Sequence, residues 1–194
     1  MNESEIKMEK IINETVKQLK AGKIILYPTD TIWGIGCDAT NSKVVSRIFK
    51  LKQRVESKTM IVLLDSTDRL KDYMDEVPDI AADLINSVET PLTVVFPNAK
   101  NLAKNLIAED KTVAIRVVRS EFCKQLIQKL GHPIVSSSAN ISGRTAPVHF
   151  GKISDEIKNG VDYIVDLEQD SVKEVKPSTI IKLEKDGEFK IIRS

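Results

Sequence analysis

Small hydroxyl residues stand together at two places where an apolar run has just ended. Residues 133–147 read PIVSSSANISGRTAP: Pro133, Ile134 and Val135 make a short apolar strand, and Ser136, Ser137, Ser138, Ala139 and Asn140 follow at once. Side chains this small let a phosphate or a ligand backbone come close, and their hydroxyls both donate and accept hydrogen bonds. Gly143 then permits a positive φ. The second place is Thr29-Asp30-Thr31, directly after the apolar run 23–27. Two such strand ends can face one cleft, although a pair of capped turns has the same composition.

Cations gather at a third place. Lys43, Arg47, Lys50, Lys52, Arg54 and Lys58 stand against the single acid Glu56. Lys52 and Arg54 are expected to leave a helix for a loop and Lys58 to precede a strand, all three facing solvent when no ligand is bound. Cations at a strand end suit a polyanion such as a triphosphate; a solvated charge run reads the same way. Arg116, inside VAIRVV, is a charge flanked by apolar residues. It needs a partner, either an internal carboxylate or a bound carboxylate or phosphate. Trp33 is expected to anchor a core or loop rather than to stack on a base.

Several familiar machines are missing from the sequence. It has no GxxxxGK[ST] loop, no GxGxxG after a strand, no HExxH and no GxSxG elbow. Ser138 has no evident His and Asp partners, and a serine-lysine hydrolase built on 136–138 has no lysine fixed by spacing. With two cysteines and two histidines, neither a disulfide framework nor a zinc-type spacing emerges, and no metal ligands are assigned.

The elements that must position these residues follow from periodicity. Helical spacing predicts helices over 4–19, 41–52, 68–74, 78–86, 121–130 and 153–158, with a weak helical piece at 102–107. Strands are expected at 23–27, 60–64, 92–96, 112–117, 163–167 and 179–183, besides the one that opens 133–147. Segment 28–38 is too broken for a helix and too particular in composition for a spacer. Asp186-Gly187 should turn the chain into 189–192, and this hairpin would bring Arg193 to the level of Ser178. Interleaved helices and strands with an antiparallel close predict an α/β fold: one domain over 1–194, a twisted mixed parallel and antiparallel sheet flanked by helices.

Totals agree with a globular chain. Of 194 residues 41% are hydrophobic and 29% charged, and 29 basic residues nearly cancel 28 acidic ones, so net charge does not announce nucleic acid. No apolar run approaches the ~18–20 residues that span a bilayer, and the N-terminus is polar rather than signal-like; a cytoplasmic location is expected.

Taken together, these segments resemble the YrdC-like domain of threonylcarbamoyl-AMP synthases, in its short, single-domain form. The matching pieces are YPTDTIWGIGCDA, IFKLKQR, PLTVVFP, VAIRVV, PIVSSSANISG, PSTII and IIR, in register from about residue 6 to the C-terminus. The resemblance implies that L-threonine, bicarbonate and ATP give threonylcarbamoyl-AMP and pyrophosphate, and that partner proteins pass the threonylcarbamoyl group to a tRNA adenosine. It implies that Lys52, Arg54 and Lys58 hold the triphosphate as the catalytic cations, with Ser138, Asn140 and Arg193 completing the nucleotide site. Thr31, Arg116, Ser136 and Ser178 would hold threonine and its carbamate. Mg2+ would ride mainly on the substrate phosphates. The chain departs from the family pattern at Trp33, Val55, Leu63, Glu89-Thr90 and after Asp166. A competing reading is a non-catalytic RNA-binding module that presents the Lys43–Lys58 cations on a concave face. The near-neutral charge and few aromatics count against it.

Overall fold

The structure is a computed structural model and describes residues 2–55, 60–170, 177–184 and 187–193. Asn2 opens the first helix with a capping box: its side chain accepts from the Glu5 amide, and the Glu5 carboxylate accepts from the Asn2 amide. Helix α1 (Glu3–Lys20) turns Ile12, Thr15, Val16 and Leu19 inward. Asn41 caps α2 (Ser42–Leu51) by accepting from Val44 N–H, and α2 buries Val44, Val45, Ile48 and Phe49. Then come α3 (Leu70–Tyr73), α4 (Ile80–Ser87), α5 (Glu121–Leu130) and α6 (Asp155–Gly160). Gly131 ends α5 at φ 81°, a conformation that costs a Cβ-bearing residue. The expected weak helix at 102–107 is one 3₁₀ turn, Lys104–Leu106.

Among the described residues nine strands make one sheet: β1 (Ile25–Tyr27), β2 (Gly34–Gly36), β3 (Ile61–Leu64), β4 (Leu92–Phe96), β5 (Val113–Val117), β6 (Ile134–Ser138), β7 (Tyr163–Ile164), β8 (Thr179–Leu183) and β9 (Phe189–Arg193). Their order is β7-β1-β2-β6-β3-β5-β4-β8-β9. The pairs β1–β7, β3–β5 and β4–β8 are parallel and the others antiparallel. The mixed α/β sheet with flanking helices is the expected architecture. Strand β2, inside the segment read as irregular, was not expected. Two glycines in three residues carry no strand propensity.

The two faces are covered unequally, and that difference makes the site. One face packs Leu26, Ile35, Val62, Leu64, Val94, Phe96, Ile115, Val135, Ile181 and Leu183 against α2, α3 and α4. On the other face Ile25, Tyr27, Leu63 and Ile134 meet α1 and α5. Register carries that second face onward: Leu63 lies opposite Arg116, Ile61 opposite Ala114 and Ser136, and Val95 opposite Ala114. There the side chains shrink or become charged, and Ala114, Val95, Ile180 and Arg193 stand partly or fully exposed. A half-covered sheet face is a ready cleft.

Candidate functional site

The bare half of that face is the floor of a cavity of about 370 Å³. Thr31, Arg54, Arg116, Ser136, Ser138, Ser178 and Arg193 line it, with Ile61, Val95 and Ile180 among its apolar walls. Residues far apart in sequence therefore converge from the loop after β1, the end of α2, β5, β6, the start of β8 and the end of β9. Lys58 lies outside the described residues, as does Asp186 of the expected turn.

Arg116 is the most telling of these. Its side chain is 3% exposed and faces Asp30, 8% exposed, with Nη2 and Oδ1 at 3.3 Å. The distance qualifies as an ion pair, but the geometry does not make a hydrogen bond. Arg116 Nε and Nη2 and Asp30 Oδ1 all lack a hydrogen-bond partner. Asp30 Oδ2 is anchored separately by the Arg119 amide at 3.1 Å. The guanidinium is thus charge-compensated while donors remain unused, an arrangement that an arriving carboxylate would complete.

Hydroxyls surround it. Thr29 Oγ1 donates to the Ile32 carbonyl at 2.8 Å, so the 3.0 Å contact between Thr29 and Thr31 hydroxyls is donated by Thr31. Thr31 is left with acceptor capacity and little exposure. Ser178 is buried, with its hydroxyl 2.8 Å from that of Thr93. Arg193 Nη2 donates to the Ser178 carbonyl at 2.8 Å, and Ile180 pairs with Arg193 across the β8–β9 ladder. The expected return of the chain end to Ser178 is therefore present.

Lys52 is not where the sequence reading expected it. It is 1% exposed rather than solvent-facing, and its Nζ donates to the carbonyls of Ser138 and Asn140. The reason is local: position 52 follows Ile48 and Phe49 by one helical turn and continues the buried face of α2. Burial, the larger cause, and the charge of Arg54 push its ammonium down from 10.5 to about 7. Between those values the unfolded chain holds a proton that the folded chain has shed, so stability rises with pH through this window. Below about 7 the cost of the buried charge is fully present. The unfolding free energy of wild type relative to Lys52→Met should rise with pH from about 7 towards 10.5, a difference in which the opposite slope from the buried thiols of Cys37 and Cys123 cancels. Asn140 also turns inward, donating through Nδ2 to the carbonyls of Ile141 and Arg144 and leaving Oδ1 buried without a partner.

Other supporting residues escaped the sequence reading. Asp30 stands in the polar strand end after β1 and an internal carboxylate is one expected partner for Arg116, but nothing in the sequence joins the two; Thr93, the polar residue within the apolar LTVVF strand, is a further supporting residue. Arg119 also grips the turn before β4, donating to the Val88 and Glu89 carbonyls. Trp33 is a buried anchor, its ring centroid 4.8 Å from that of Phe150.

This geometry has relatives. A model of the Sua5/YciO/YrdC domain, described as telomere recombination, matches residues 17–194. The chain belongs to the Sua5/YciO/YrdC family. The threonylcarbamoyl-AMP synthase of Pseudoalteromonas translucida is 36% identical over 151 residues, covering 76% of this chain and 81% of that protein. A Methanocaldococcus jannaschii member is 31% identical over 187 residues, covering 96% of this chain and 86% of its own. Among solved structures, P. abyssi Sua5 complexed with L-threonine matches with a TM-score of 0.79 at 28% identity. That match covers 89% of this chain and 50% of the other, so this chain spans about half the length of that family member. Among the described residues no helix is long and apolar enough to cross a membrane.

Proposed function

We propose that this chain is a threonylcarbamoyl-AMP synthase, joining L-threonine, bicarbonate and ATP with release of pyrophosphate. One observation carries the reading: a buried arginine with unused donors on the floor of a hydroxyl-lined cavity that also holds two further arginines. In this reading Arg116 takes the threonine carboxylate, and Thr31, Ser136 and Ser178 supply hydrogen bonds to threonine and its carbamate. Arg54, Arg193 and Ser138 face the nucleotide, Lys58 joins them, and Lys52 and Asn140 shape the same side. A carbamate oxygen attacks the α-phosphorus and pyrophosphate departs with the bonding electrons, so the protein's work is alignment and charge neutralisation. Mg2+ would accompany the nucleotide phosphates, since the described lining offers hydroxyls and cations rather than carboxylates. Partner proteins would then carry the threonylcarbamoyl group to tRNA. The RNA-binding reading gives no reason for a buried arginine with unpaired donors.

The direct test is to supply ¹³C-bicarbonate with threonine and ATP and to weigh the nucleotide product. Labelled threonylcarbamoyl-AMP is expected, and its absence from active, folded protein would remove the synthase reading. The hydroxyl-lined pocket should also reject valine, an isostere without the hydroxyl, by at least about 10²-fold in kcat/KM. Serine, short of one buried methyl worth ~0.8 kcal/mol, should lose about fourfold. Equal rates with valine and threonine would exclude such a pocket. Arg54→Ala should keep the fold and lower turnover by roughly 10- to 100-fold, as one charge-assisted phosphate contact is worth about 1.5–3 kcal/mol. Ordinary turnover would take Arg54 out of the site.

A further inference from the structure

The segment that leaves the sheet after β6 is held from outside by both ends of one residue. As far as Ser138 the strand is fixed by ladders, Ser136 opposite Ile61 of β3 and Ser138 opposite Gly34 of β2. Beyond the Ala139 amide, which donates to the Trp33 carbonyl, Ile141 packs into the core, and among the described residues the hydrogen bonds that reach the segment from outside come from Lys52. Its Nζ donates to the carbonyls of Ser138 and, at 2.6 Å, Asn140, while its own carbonyl accepts from the Ser142 amide at 2.8 Å.

The end of α2 is built to send Lys52 there. Gln53 takes a left-handed φ of 50°, its amide donates to the Lys50 carbonyl, and the Arg54 amide donates to the Phe49 carbonyl. These are the two bonds of a Schellman motif. The motif leaves Lys52 on the buried side of α2 and brings Arg54, two residues on, to the cavity wall. Lys52 is 1% exposed and is not part of that wall, whereas Arg54 is.

We propose that Lys52 is a positioning residue: it clamps the 138–142 segment by its carbonyls and shapes the nucleotide side of the site without touching the phosphates. Both hydrogen bonds from Nζ go to backbone carbonyls of this segment, those of Ser138 and Asn140. Moving Nζ to a phosphate would strip both half-buried carbonyls of this donor and release the segment from the end of α2. The division of labour is therefore between two residues of one motif, Lys52 holding backbone and Arg54 meeting charge.

The inference rests on the synthase reading for the identity of the ligand, and its test separates the two. Dissociation constants for adenosine, AMP, ATP and threonine would be measured on wild type, Lys52→Met and Arg54→Met, with Trp33, the single tryptophan, as reporter. Lys52→Met should weaken adenosine, AMP and ATP by one common factor of about tenfold or more. Threonine should be unchanged, because Ser136 is held by the ladder. A general loss of structure would weaken threonine as well. Arg54→Met should weaken ATP and spare adenosine. A loss in Lys52→Met that grows with each phosphate would overturn the clamp. Should that variant not fold, the wild type still decides. Acylation of amines with an N-hydroxysuccinimide ester, read by peptide mass, should leave Lys52 unmodified with and without ATP. Modification of Lys52 in the free protein, suppressed by ATP, would overturn the proposal. Failure of the wild type to bind any nucleotide would remove the synthase reading, while acylation would still report on the clamp.

Discussion

Arg116→Met should abolish threonine-dependent turnover, raising the threonine KM by on the order of 10²-fold or more. ATP affinity should move little, because Arg54 and Arg193 remain in the cavity. The same substitution should destabilise the fold. Asp30, 8% exposed, would keep its carboxylate beside an apolar side chain, and breaking a buried ion pair costs about 3–5 kcal/mol. Asp30→Asn should carry a cost of the same kind, leaving the guanidinium uncompensated. The double variant Arg116→Met/Asp30→Asn should therefore be more stable than the sum of the two singles predicts, yet remain inactive with threonine. Denaturant unfolding gives the stability cycle and steady-state kinetics the other. Additive stabilities would mean that the 3.3 Å contact carries no coupling, and a double variant with normal threonine KM would move the carboxylate site elsewhere.

Gly36→Ala should be nearly as damaging, through contact rather than backbone conformation. A Cβ at Gly36 would lie 2.3 Å from the Val135 carbonyl oxygen and 2.7 Å from Cε1 of Tyr27. Neither neighbour can yield cheaply. Tyr27 is fully buried, burial holds its hydroxyl proton on well above the usual range, and that hydroxyl donates to the same Val135 carbonyl at 2.9 Å. Room for the methyl requires β2 to part from β6 or Tyr27 to leave its place, one residue before Ser136 in either case. The expected loss is about 3 kcal/mol, the upper range for overpacking. For a domain of this size that lowers Tm by roughly 6–12 °C. A thermal melt within about 2 °C of wild type would show that the strands separate more easily than their packing implies.

The parts of this account legible in the sequence are those set by local rules. Helix α5, between Ser120 and Gly131, has a cap, a periodic apolar face and a glycine stop, and each acts on its neighbours alone. The strands β4 and β8 likewise carry their own apolar pattern. The hydroxyl-rich ends at Thr31 and Ser136–Ser138 were legible because a polar residue directly after a buried strand is unusual. What was not legible depends on partners distant in the chain. Strand β2 exists because two glycines let β1 and β6 approach it closely, which no propensity of Gly-Ile-Gly announces. Lys52 resembles every other cation of its cluster until the helix face is extended by one turn, and Asp30 resembles a turn residue until β5 brings Arg116 beside it. The half-covered sheet face is the least local feature of all, since it follows from where α1 and α5 dock.

The most direct measurement is pyrophosphate release by the purified protein, with ATP present and threonine and bicarbonate each omitted in turn. Release is expected only when all three are supplied, with valine failing to replace threonine and Arg116→Met failing under every condition. Release that continues without threonine or without bicarbonate would contradict the synthase reading, because the cavity would then be activating some other nucleophile.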